Sequence, residues 1–184
     1  MTPGTDRRAA FRLTTTIAAG NLAQASLTIA GAALLFAAAH TGVTAGVRTT
    51  IAIVGIVAIY LDTHSIAHWA VGRAVGIGFD GYAIAGTAKA HRYPPVMRQL
   101  MAHAPFWVAR IRRPVGASSR GRGLMLAAGQ LSTTITTFAA AAYAWRRVPG
   151  GGVTFLVVLV WLGVTTIFGA VLPEGEYRRA LRPR

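Results

Sequence analysis

Four long stretches of this chain are almost free of charge, and they set its plan. The apolar positions run from about Leu13 to Ala39, Thr49 to Val75, Gly123 to Trp145 and Val153 to Leu172. Each stretch can cross a bilayer, which takes about 20 residues of helix. The breaks between them are of two kinds. "HTGVTAGVR" and "RRVPGGG" are short and rich in helix breakers. The break over 76–121 is long and polar. The pattern predicts one all-α membrane domain over 1–184 with four transmembrane helices, because only helices and closed barrels satisfy their backbone in lipid.

The first run reaches the small residues "FAAAH" and has the look of a secretory leader. It is long for a leader's apolar core of about 7–15 residues, so a retained span is expected. Asn21, Gln24, Ser26 and Thr28 lie within it and read as side chains bonding across packed helices. In the long break, "GIGFDGYAIAG" alternates like one or two short strands. "RYPPVMRQLMAHAPFWVARIRR" reads as an amphipathic interfacial helix, kinked or broken at Pro105, with Phe106 and Trp107 in the headgroup zone. "RIRRPVGASSRGR" reads as a flexible polybasic link that favours anionic lipid.

Charge sets the topology. The chain carries 19 basic and 5 acidic residues, a net charge of +14, with 53% hydrophobic and 13% charged residues. In a soluble protein such a balance points to nucleic acid. Here the arginines flank apolar runs, so a nucleic-acid partner is not expected. Basic residues collect before the first span, between the second and third, and after the fourth. Arg48, Arg146 and Arg147 alone occupy the opposite loops. This bias predicts a multi-pass protein of the cell membrane, with both termini and the segment 76–121 in the cytoplasm. No cysteine is present, so any metal must rest on His, Asp or Glu.

The chemistry sits in the second span, in "DTHSIAHWAVGRAVGI". His64 and His68 are an i, i+4 pair on one helix face, a spacing that lets two imidazoles meet one metal ion. Ionisable residues inside a span mark function by default. Two neutral histidines bonded to Thr, Gln or backbone within the bundle are the other reading of the same spacing. Trp69 and Arg73 suit the membrane interface. Gln130, Thr133, Thr134 and Thr137 form a polar stripe on the third span. It offers acceptors for the free imidazole nitrogens or ordinary bonds between helices.

Three segments resemble, in order, the site-2 protease family of intramembrane zinc metalloproteases. "HSIAHWAVGRAVGI" resembles the family's HExxH helix. "RGLMLAAGQLSTTITTFAAAAYA" resembles its AGPLAN segment, with Gln130 in place of the proline and Thr133 in place of the asparagine. "FGAVLPEGEYRRAL" resembles its Asp-Gly segment, with Glu174 and Gly175 at that pair. The resemblance implies a three-helix core from the second, third and fourth spans. It implies a zinc ion on His64, His68 and Glu174, with Glu176 and Asp62 as lesser carboxylate candidates. Gln130 and Thr133 become outer partners of the ligands. His91 and His103 are further candidates from the middle segment, whereas His40 lies on the wrong side.

The departure from the family is equally specific. In HExxH enzymes the glutamate is general base to zinc-bound water. Ser65 stands there, and a hydroxyl has no base of its own. The expectation is a degenerate member that binds zinc and a transmembrane-segment substrate or partner without efficient proteolysis. One alternative is an active hydrolase with Glu174 or Glu176 as base. Another is a metal-free scaffold or transporter subunit.

Overall fold

The computed structural model describes residues 13–86, 95–103, 106–112, 117–171 and 175–181. Four helices in it are long and apolar enough to cross a membrane. These are α1 (Ile17–His40), α2 (Ala45–Ala74), α4 (Ser119–Arg147) and α5 (Gly151–Val171). The expected span boundaries shift by only a few residues. Two short helices, α3 (Pro95–His103) and α6 (Glu176–Ala180), complete the helical part.

The helix ends follow from local chemistry. Thr16 and Ser118 cap α1 and α4, each accepting a bond from the backbone amide three residues on. At the end of α2, Gly76 adopts φ +84°, and the amides of Gly76 and Ile77 return to the carbonyls of Arg73 and Gly72. That left-handed stop needs a residue without Cβ, and it turns the chain into the next strand.

An all-α fold is the expectation, and the structure adds a sheet. Strands β1 (Leu13–Thr15), β2 (Phe79–Ala85) and β3 (Phe106–Ile111) form an antiparallel sheet in the order β1-β2-β3. The segment expected to alternate is β2. The interfacial helix is corrected in part. It ends at His103, and Phe106 and Trp107 belong to a strand. "FWVARI" is aromatic and β-branched with alternating exposure, which suits pairing with β2 better than a helix. Asn21 and Gln24 also differ from expectation. Asn21 accepts from the Tyr82 hydroxyl of β2 at 2.6 Å, and Gln24 donates to Gly20 of its own helix. Burial pushes the Tyr82 phenol up to about 12, so it stays a neutral donor. The polybasic link lies partly outside the described residues, and its Arg120 and Arg122 open α4.

Helices α1 and α4 both pack on α2, and α5 packs on α4. Near the α1–α2 turn, Leu35, Ala38, Ala52, Ile56, Ala141 and Ala144 form the larger apolar core. Arg48 holds this end together, donating to the carbonyls of Ala38, Ala39 and Arg147 at 2.7, 2.8 and 3.3 Å. A smaller core of Ile77, Phe79 and Met125, with Trp69 against it, lies at the sheet end. Trp69 is thus a packing residue, and Arg73 is exposed.

Candidate metal centre

At the sheet end of the bundle, three side chains from two distant parts of the chain converge. His64 Nε2 and His68 Nε2 lie 3.1 Å apart. Glu176 Oε1 lies 3.2 Å from the first and 3.1 Å from the second. The histidines come from α2, about 9 and 15 Å before its end at helical rise. Glu176 comes from the first turn of α6. The start of α6 reaches the site because Gly175 abuts the Gly169 carbonyl of α5 and Gly123 of α4 abuts the Ala180 carbonyl.

Hydrogen bonds settle which nitrogens carry protons. His68 Nδ1 lies 2.6 Å from the Met125 carbonyl, which only accepts, so Nδ1 is the donor. His64 Nδ1 lies 3.0 Å from Thr133 Oγ1. The Thr133 hydroxyl spends its own proton on the Gly129 carbonyl at 3.1 Å, so it accepts from His64. Both Nε2 atoms therefore present lone pairs to each other and to a carboxylate oxygen. Three acceptors at hydrogen-bond distance repel unless a cation lies among them, either a metal ion or an added proton.

The donor set fits a metal. Three His and carboxylate atoms held about 2.0–2.2 Å from a tetrahedral zinc ion are separated by about 3.3 Å or slightly more. The observed edges fall just inside that figure. Glu176 Oε2 is buried and has no hydrogen-bond partner among the described residues, which leaves it available to the same ion. The side chains of His64 and Glu176 remain 29% and 27% exposed, so one side of the triangle is open to a fourth ligand. Three ligands with an open side is the arrangement that catalytic metal sites use, whereas structural zinc sites are closed by four.

Packing aims the rings. Gly129 lies directly over the His68 imidazole, where even a methyl group would occupy the ring's space. Thr133 fulfils the expected role of acceptor for an imidazole. Gln130 makes no hydrogen bond among the described residues. Thr136 instead meets Thr63 of α2 at 3.1 Å, while the buried hydroxyls of Thr134 and Thr137 lack partners.

The remaining candidates are elsewhere. Glu174 and His91 lie outside the described residues, and Glu176, ranked below Glu174, is the carboxylate found beside the histidines. His103 bonds the Gln99 carbonyl in α3. His40, at the opposite end of the bundle, bonds the Phe36 carbonyl.

Asp62 and Ser65 form a different device. Trp107 Nε1 donates to Asp62 Oδ1 at 2.9 Å, and Ser65 Oγ donates to the Trp107 carbonyl. One turn of α2 thereby grips β3 by both the side chain and the backbone of a single residue. Ser65 is 2% exposed and committed to this grip, so its hydroxyl serves the fold. Trp107→Phe keeps the ring but leaves the buried Asp62 carboxylate without its donor. The expected cost is about 1–3 kcal/mol, read as a lower melting temperature in detergent. Unchanged melting would show that the grip contributes nothing.

No protein-family model, curated protein or solved structure matches the chain.

Proposed function

We propose that this is a multi-pass membrane protein of the site-2-protease-like type. In this reading it binds zinc through His64, His68 and Glu176 and receives transmembrane segments at that site without cleaving them efficiently. The converging lone pairs of the two histidines and the glutamate carry the proposal. Helices α2, α4 and α5 are its three-helix core. The arginine bias orients the sheet end and both termini toward the cytoplasm of the cell membrane, where the polybasic segment meets anionic lipid.

Zinc held by His64, His68 and Glu176 would supply Lewis acidity and would make a water at the site more acidic. The protein's own part is to hold the ligands. Met125 and Thr133 fix the tautomers, and Gly129 makes room for one ring. Among the described residues, no committed base stands beside the triangle. General-base catalysis is worth about 10²–10⁴-fold, and the residue one after His64 is withdrawn into the grip on Trp107.

One observation favours a second reading. Glu176 Oε2 has no hydrogen-bond partner among the described residues, so this carboxylate can serve as base instead of ligand. Incubation with a model transmembrane peptide separates the two readings. The expected result is no cleavage above a His64→Ala control. Robust cleavage by wild type that Glu176→Gln abolishes, with metal content retained, establishes the active hydrolase instead.

A further inference from the structure

The other end of the bundle carries a feature that the metal centre does not use. Helices α1 and α4 both lean on α2 but meet each other only along a narrow margin. The gap between them is a cavity of about 450 Å³. Its α1 wall is Thr28, Ala32 and Phe36, its α4 wall is Thr136, Ala139 and Tyr143, and Ile59 of α2 lies at its floor. The two threonines present no polarity to it. Thr28 donates its hydroxyl to Gln24 of its own helix, and Thr136 is bonded to Ser132 and Thr63. The groove is therefore apolar along its length.

Tyr143 also lines a second hollow of about 280 Å³, completed by Ala142, Arg146 and Arg147. From Thr136 to Arg147 the helix rises about 16 Å, about half the 30 Å thickness of a bilayer's hydrocarbon. The groove thus begins near the midplane and ends in cations at headgroup level. Among the described residues those cations find no counter-charge. No Asp or Glu occurs anywhere in 81–173, and among the described residues neither Arg146 nor Arg147 makes an ion pair. Arg147 gives only its backbone carbonyl to Arg48, which leaves its guanidinium uncommitted.

We infer that this face is a seat for one anionic phospholipid. An acyl chain lies between α1 and α4, and the headgroup phosphate is held by Arg146 and Arg147. The leaflet is the one at the α1–α2 and α4–α5 turns, opposite the polybasic segment. A chain of one leaflet's length, capped by a negative charge, matches both the depth and the charge of the groove.

Native mass spectrometry of the full chain, released from mixed micelles of phosphatidylglycerol and phosphatidylcholine with identical acyl chains, tests this. Wild type should retain one phosphatidylglycerol in preference to phosphatidylcholine. Arg146→Gln with Arg147→Gln should weaken that retention about thirtyfold, since each basic residue near a headgroup contributes about fivefold. Ala139→Trp, at an exposed position, should fill the groove and remove retention of both lipids while melting stays at the wild-type value. Equal retention of the two lipids, or unchanged retention in the arginine variant, overturns the inference. So does a photo-crosslinker at residue 139 that joins two copies of the chain instead of labelling lipid.

Discussion

On the proposed reading wild type should purify with one zinc per chain, and His68→Ala should strip it. His64→Ala and Glu176→Ala should do the same. Each removes one corner of a three-atom site, and two corners rarely hold zinc against a chelator. The loss should therefore exceed the 10–100-fold typical of removing an outer hydrogen-bond partner. Thr133→Val supplies that milder case. It keeps shape but takes the acceptor from His64 Nδ1, and affinity should fall by about 10–100-fold. Acid should act like the mutations, because ligation needs both imidazoles neutral and protons compete for the same lone pairs. Elemental analysis in chelator-free buffer, followed by competition with a zinc-sensitive dye, provides the readout. Stoichiometric metal in His68→Ala, or none in wild type after zinc loading, would leave a proton as the cation among the three acceptors.

The second large effect concerns the bundle. Gly31 of α1 and Gly55 of α2 face each other so closely that a Cβ on Gly55 would lie 2.6 Å from the Gly31 carbonyl oxygen. The reciprocal distance, from a Cβ on Gly31, is 2.7 Å. Backbone cannot step aside as a side chain can, so Gly55→Leu must push the helices apart and unpack Leu35 and Ile59. In lipid, helix association depends on this close fit, because burying apolar surface gains little there. The expected destabilisation is about 3 kcal/mol or more. Gly163→Leu is the control, since nothing lies near that position on α5. Thermal unfolding in detergent should show a large drop for the first and almost none for the second. Equal melting of both variants would contradict the crossing.

Much of this arrangement was legible before any coordinates. The four spans follow from apolar runs, and the histidine pair from the cost of placing such groups in a membrane helix. The choice between Glu174 and Glu176 was not legible. They stand two residues apart near Pro173, and only the fold shows that Glu176, in the first turn of α6, meets the histidines. The sequence places Trp107 at the headgroups because its partner Asp62 lies 45 residues away, and a hydrogen bond over that separation leaves no local pattern. Gly129 was passed over because a missing side chain signals only that something is close, not what. The serine after His64 looked like a deletion of chemistry. Its bond to the Trp107 carbonyl shows that the position holds the sheet.

His68 and Glu176 are separated by 108 positions, with two of the four long helices between them. Synthesis must therefore pass both α4 and α5 before the third donor, Glu176, exists. A nascent chain halted after α4 has both imidazoles in place and nothing to close the triangle. On the proposed reading, metal loading waits for α5 and α6, and a bound ion would report that both have been seated.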